Sequence, residues 1–594
     1  MGQDSSSEAR VLSHEELVKV LAGRFADKCF TSLEIFSLKD VFKTLADQEA
    51  GVYYLKEDTM ARFLEVPDAL GASPVLFQIA SFIGAFPFLQ DAPTILGLEQ
   101  MVIVVTLLTG RYQRVLAGGA KSRAKLLFKS MAVYDRKSIE VRADGGQAVD
   151  GVDGADDTDQ SEDDELVLEA LDYLGTAAIR PTEASPTTRK IMVPADSLRK
   201  LIMLLLLVAP LGPQEDLSMY ADRTSGSQLD SLRSTADWIL AAFLDGDESS
   251  GISYDRFDAV ISTSAPFMFD GFAPLFEHFL FSKNLNLNRH RGETPAVQPP
   301  VEVVQPLLQE SGSIMNLDVL SQLSFFIPGT SLFRRLRLLY SGEVDGFSMG
   351  SFESKVFNWR APTLLLVRGN RLPVSDSHRS TGPESSFLST LPPRRFRPGG
   401  SDDNDTLTFG LYLGQPWKHT HRECFGGDDT LLFQLEPVHD VFRASTMNRD
   451  YVSYNKPSTS TGHAGINVGC PPPQPTKTYR RASTIALGPV SLVLDGSFEF
   501  GCFTHDFTSK GGSFLNSAAR QVDFQEHFEI VSLEVWGCGG DEEAKHQAER
   551  WAWEAREAEA RRKINLGTGD IEADRALLEM AGLIGQNRSG GSMM

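Results

Sequence analysis

The chain has 594 residues, 42% of them hydrophobic, and a formal net charge of −22. That length accommodates three or four folding units with real cores, and the acidic balance excludes a general nucleic-acid surface, because neutralising phosphate needs a basic face. Five scattered cysteines, with no CxxC pair, fit a reducing compartment and exclude a disulfide framework or a zinc ribbon.

The first ten residues are polar and open with Met1-Gly2-Gln3-Asp4-Ser5-Ser6. This fits the N-myristoylation pattern, which needs Gly2 at the terminus once Met1 is removed. The polarity of these first residues leads to the expectation that no secretory leader follows Met1. A single myristoyl chain holds a membrane only reversibly, so a second contact is needed for stable attachment.

Residues 11–283 read as helices. Apolar residues recur at three and four spacings in Leu12, Leu17, Val20 and Leu21, and again in Leu33, Phe36, Val41, Phe42 and Leu45. Thr31 or Ser32 followed by Glu34 marks a helix start, and Leu33 to Leu64 reads as a weak helix-loop-helix with its loop at Asp47 to Gly51. The apolar runs Met101 to Leu108 and Leu201 to Ala209 are too short to cross a bilayer and read as buried helices. Between them, Asp144 to Glu165 holds ten acidic residues and no Lys or Arg; the stretch 143–165 is expected to be a disordered insertion. Helices on its two sides are expected to pack as one body.

Asp245 to Phe257 aligns with an EF-hand loop. Asp245, Asp247 and Ser249 fall at positions one, three and five, and Ile252 at position eight, where paired loops make a short β contact. Arg256 stands at position twelve, where calcium needs a bidentate carboxylate. The expectation is an EF-hand-like structural unit without calcium. The aromatic run Pro266 to Phe281 reads as core packing. A linker is placed at 284–311, which is rich in Asn, Pro and polar residues.

From 312 the texture changes to short strand-like runs, among them Thr363 to Arg368, Thr406 to Leu413, Thr430 to Leu435 and Val490 to Leu494. Two segments without apolar rhythm, 373–405 and 456–481, are expected to be loop insertions. His419, His421 and Cys424 lie close in sequence, but one cluster is an incomplete zinc set, and no P-loop, GxSxG or HExxH is present. Glu534 must be exposed or paired between Leu533 and Val535. A charged helix is predicted at 541–566, acidic at its start and basic at its end as the helix dipole favours, followed by a tail at 567–594. Trp551 and Trp553 are its large apolar groups.

Several blocks occur in order with variable spacers: Leu338-Leu339-Tyr340-Ser341, Gly346-Phe347-Ser348, Ala361 to Val367, Phe409-Gly410 with Trp417, Cys424-Phe425-Gly426, and Phe528 to Gly537. They resemble the TLDc domain over 312–540. The order of parts (Gly2, EF-hand-like helices, TLDc, terminal helix), together with Phe276 to Leu285, resembles the fungal restriction of telomere capping protein 5 family. The fold class expected is α+β: an all-helical EF-hand-like region, then a TLDc domain of β-sandwich-like antiparallel sheets with flanking helices, and a C-terminal helix.

The resemblance implies a non-enzymatic interaction protein, and the chain is expected to be a monomer without cofactors, metal or direct nucleic-acid contact. It implies binding and regulation of the vacuolar proton-pumping ATPase, with any influence on telomere capping indirect. It also implies a cytoplasmic location, peripheral at the vacuolar membrane surface through myristoyl Gly2. Partner-binding candidates are Trp551, Trp553, Glu534 and Trp536. The alternative is an oxidation-resistance protein acting through reactive cysteines, Cys424, Cys502 or Cys538.

Overall fold

The computed structural model describes residues 13–49, 51–134, 165–174, 191–212, 215–244, 251–281, 306–373, 383–397, 406–420, 423–456, 464–472, 484–539 and 541–563. Gly2, Asp245, Asp247, Ser249 and His421 lie outside them, as do nearly all of the acidic insertion and most of the 284–311 linker. Residues up to Gly539 form one compact unit, and the terminal helix belongs to a second.

The helical region begins with α1 (His14–Cys29) and α2 (Ser32–Leu45). Both open on capping boxes, Ser13 with Glu16 and Thr31 with Glu34, so the first free N–H groups of each helix find acceptors within one turn. After α2 a hairpin of β1 (Asp47–Glu49) and β2 (Val52–Tyr54) leads into α3 (Glu57–Phe63), giving the helix-loop-helix read from Leu33 to Leu64. Next come α4 (Ser73–Ile83), α5 (Leu98–Leu108) and α6 (Ala120–Met131). The run Met101 to Leu108 is buried throughout α5, and Leu201 to Val208 is buried throughout helix Ala195–Val208. Among the described residues no single helix is long and apolar enough to cross a membrane.

β3 (Val133–Tyr134) and β4 (Ile191–Met192) pair between α6 and helix Ala195–Val208. The acidic insertion is therefore spliced into the loop of a helix-loop-helix unit whose two helices stay in one core. A second such unit, Gly226–Phe243 and Tyr254–Thr263, docks beside it. Ile252 and Val193 exchange backbone hydrogen bonds of 2.9 Å in each direction, the reciprocal contact expected of paired EF-hand loops. The aromatic run supplies a ladder: Phe257, Phe269, Phe272, Phe276 and Phe279 follow one another at centroid separations of 5.9 to 6.2 Å.

The remainder is one ten-stranded antiparallel sheet with flanking helices. Its strands are β5 (Leu336–Ser341), β6 (Thr363–Arg371), β7 (Thr406–Leu413), β8 (Leu431–Glu436), β9 (Asp440–Arg443), β10 (Val452–Asn455), β11 (Gly465–Val468), β12 (Val490–Asp495), β13 (Phe500–His505) and β14 (Phe524–Cys538). The order is β10-β11-β12-β13-β14-β6-β7-β8-β9. β14, 15 residues long, is the pivot. One edge pairs first with β13 and then with β5, while the other pairs with β6. The sheet folds over itself. Phe503 on β13 stacks on Phe409 of β7 at 4.6 Å and meets Phe442 of β9 at 5.5 Å, although neither strand neighbours β13. This closure gives the sandwich-like core.

Two segments differ from the loops expected. The stretch 373–405 contains helix Pro383–Thr390, whose Phe387 stacks on Phe500. The stretch 456–481 contains strand β11, buried at all four positions. Both pieces are short and their apolar residues few, so periodicity does not announce them. The linker is also shorter than the 284–311 expected. Leu307 is buried, and its carbonyl accepts from Arg334 N at 3.0 Å.

Candidate functional site

The chemistry-bearing residues of the last block turn inward. β14 alternates, so Glu534 and Trp536 share a face, and both are buried, 1% and 0% exposed. The Glu534 carboxylate accepts from Ile314 N at 2.9 Å, Met315 N at 3.2 Å and the Ser313 hydroxyl at 2.9 Å, and also from Ser313 N. The Trp536 indole donates at 3.0 Å to Oε2, the oxygen that Met315 N also reaches. Three successive backbone N–H groups converging on one anion make a nest. Gly312 permits it: a Cβ there would stand 2.5 Å from a Glu534 oxygen. The turn then enters helix Leu317–Leu323, whose N-cap Asn316 accepts from Val319 N at 2.8 Å. Gly537 serves a second close approach, since a Cβ there would lie 2.5 Å from the Trp359 indole. The Glu-Val-Trp-Gly block is thus a clamp joining the first residues of this half to its last strand. Glu534 and Trp536 are corrected from partner-facing candidates to architectural residues: burial denies them a partner's surface.

The clamp lies near the junction with the helices, where polar groups are again paired. Arg223 donates to Asp318 at 2.8 Å, and Ser231 donates to the other Asp318 oxygen at 2.6 Å. His439 on the loop before β9 sits fully enclosed. Its Nε2 faces the Ser264 carbonyl at 2.9 Å, its Nδ1 faces Gln322 at 3.2 Å, and its backbone N–H donates to the Trp238 carbonyl at 2.9 Å. Burial pushes its pKa below the ordinary histidine range. Arg443 donates to the Thr263 carbonyl at 3.1 Å. Arg256, at the loop position that in a calcium site carries the carboxylate, directs its guanidinium to the Leu244 carbonyl at 3.3 Å and across the junction to the Ala518 carbonyl at 3.5 Å. A built-in cation thus ties the closing end of the loop.

The thiols offer little nucleophile. Cys470, Cys502 and Cys538 are buried and Cys424 partly so. Burial raises Cys502 to about 11, and Cys424, Cys470 and Cys538 to about 12, far from the thiolate character that reactivity requires. His419 faces Glu353 at 3.0 Å rather than Cys424, and the Cys424 thiol lies 3.7 Å from the Cys470 carbonyl. Among the described residues no group of three His, Cys, Asp or Glu side chains is arranged to hold a metal ion.

In the second unit, helix Asp541–Lys563 carries Trp551, half-buried, and Trp553, exposed. Sequence reading passed over the Asp318, His439 and Gln322 network. Its partners lie about a hundred or more residues apart in the chain, and the one local signal was a His-Asp pair entering a short strand.

Residues 308–539 match the model of the TLDc domain. Over its full length the chain is 60% identical to a protein of Neurospora crassa named restriction of telomere capping protein 5, covering 100% of both chains. Proteins of the same name from Pyricularia oryzae and Emericella nidulans are 58% and 36% identical. They cover 100% of each chain in the first case, and 97% of this chain and 93% of the other in the second.

Proposed function

The chain belongs to the fungal restriction of telomere capping protein 5 family, with a TLDc domain at residues 308–539, and from that premise we propose that it is a non-enzymatic regulator acting by docking onto another assembly. The partner proposed is the vacuolar proton-pumping ATPase. The protein is cytoplasmic and peripheral at the vacuolar membrane, with acylated Gly2 supplying one contact and the docked pump the second. Its influence on telomere capping, the property in the relatives' name, is indirect, since a net charge of −22 opposes direct DNA binding.

The observation that carries this reading is the use made of the titratable groups. Asp318, His439 and Arg256 are spent on holding the two halves together, and Glu534 on closing the TLDc half on itself. What remains for a partner is surface, including Trp553 on the terminal helix. The test is affinity purification from fungal cells, with bound proteins quantified for the intact chain, a Trp553→Ala variant and a Gly2→Ala variant. Recovery of pump subunits, reduced by Trp553→Ala, is expected. Recovery of none from any of the three overturns the proposal.

A further inference from the structure

A groove of about 920 Å³ opens in the helical region between α1, α2, the β1–β2 hairpin and the segment entering α5. Val18, Phe42, Val52, Ile95 and Leu98 give it an apolar lining. Val52 and Ile95 are 53% and 66% exposed, and apolar side chains gathered in one open groove mark an unmet binding surface. Lys19, Lys39 and Lys43 stand around it, offset by Glu15, Asp91 and Glu99.

We propose that this groove holds the acyl chain carried by Gly2 of the same molecule. The inference rests on the reading that Gly2 is myristoylated. The described chain starts on the groove's own rim. His14 lines it, stacked on Phe88 at 4.0 Å with its Nδ1 2.8 Å from Asp91, and the Ser13 capping box fixes the direction of α1. From Gly2 to Ser13 an extended chain reaches roughly 36 Å at about 3.3 Å per residue. That is ample for the acyl group to fold back from the rim. The tether also makes binding intramolecular, at an effective concentration on the order of millimolar. A myristoyl chain partitions into bilayers with a constant of only about 10⁴ M⁻¹, so an internal site competes effectively with the membrane. The groove thereby sets how much acylated protein is available to a membrane.

The experiment uses full-length protein acylated by co-expressed N-myristoyltransferase, with intact mass reporting acylation. The probe is binding to phosphatidylcholine vesicles. The variants are Val52→Asp with Ile95→Asp, two exposed positions whose change leaves the core intact, and Gly2→Ala. The expected result is that the acylated double variant binds vesicles roughly tenfold more than the acylated native chain, while Gly2→Ala binds neither more nor less for the same two changes. Acylation is also expected to raise the unfolding temperature of the native chain and not of the double variant. Equal vesicle binding by the acylated native and double-variant chains, with no acylation-dependent change in unfolding temperature, overturns the proposal. An unacylated mass at Gly2 overturns the underlying reading instead.

Discussion

The helical half and the TLDc half bury different things. The helices fill their core with Leu, Val and a ladder of Phe rings, and among the described residues Arg223 is the charged side chain they bury most completely. The sheet half buries Glu534, Glu526, Asp440, His439 and His505, each within a network, and buries His527 as well. Arg371 grips Glu526 with bonds of 2.9 and 3.2 Å, and Arg520 and Ser517 reach Asp440 at 3.1 and 2.5 Å. Apolar packing is tolerant of exchange among residues of similar volume. A buried network is unforgiving, because removing one member strands the rest. The helical half is therefore the part whose residues can be exchanged most freely, and the sheet half is where single changes are most damaging.

The largest effect expected is at the clamp. Glu534→Ala leaves three backbone N–H groups, a hydroxyl and an indole N–H without their acceptor. Stranded buried donors cost about 1–3 kcal/mol each, with water recovering part, so a loss on the order of 4 kcal/mol follows. Glu534→Gln keeps one carbonyl acceptor and should lose roughly half as much. Chemical denaturation of both variants checks this. A change under about 1 kcal/mol for Glu534→Ala would show that the networks are no more demanding than the packing.

At the junction, Asp318→Ala abandons Arg223 in a buried setting, and breaking a buried pair from one side costs about 3 kcal/mol or somewhat more. The informative companion is the joint replacement Arg223→Met with Asp318→Leu, which removes both charges and is expected to recover most of the loss. Failure to recover would mean that the pair specifies how the halves meet, beyond satisfying each other.

Acid should act through the sheet half. Among the described residues the buried histidines His439, His505 and His527 all lie there. Burial holds all three below the ordinary value, His527 at about 4. In the unfolded chain they bind protons near pH 6.5, while in the folded chain they remain neutral until lower pH. The unfolded state thus holds more protons between those values, and stability falls as pH drops from about 6.5 toward 4. For His527 alone the full shift corresponds to about 3 kcal/mol at pH 4, and about 2 kcal/mol is already lost by pH 5. Denaturation midpoints for native protein and His527→Gln between pH 7 and pH 5 should converge. Parallel curves would remove His527 as the sensor.

These contrasts also explain what could be read from the chain alone. Helices with a 3.6-residue apolar period, such as α1 and α2, declare themselves within one window, as do strands such as β7. The Glu-Val-Trp-Gly block was visible but its purpose was not, because its acceptor geometry is completed by Ser313, Ile314 and Met315, about 220 residues upstream. β11 was hidden for a related reason: Gly465 to Val468 becomes a strand only through its neighbours β10 and β12. Local pattern reports burial, and long-range hydrogen bonding has no local signature.

The smallest effect tests the point where the two modes of burial meet. Arg256 belongs to the helical half yet behaves like a residue of the sheet half, with its guanidinium on two carbonyls, Leu244 at 3.3 Å and Ala518 at 3.5 Å. Both contacts are long, so Arg256→Ala should cost only about 1 kcal/mol. Arg256→Glu restores the carboxylate a calcium loop requires at its last position, but removes the cation that ties the loop's closing end and turns a negative group toward the same carbonyls. If the guanidinium stands in for the ion, Arg256→Glu is less stable than Arg256→Ala in calcium-free buffer. Millimolar calcium then narrows that gap for Arg256→Glu alone and leaves the native midpoint unmoved, as thermal unfolding with and without calcium would register. A native chain stabilised by calcium would instead mean that the loop still coordinates metal and that Arg256 is incidental to its closure.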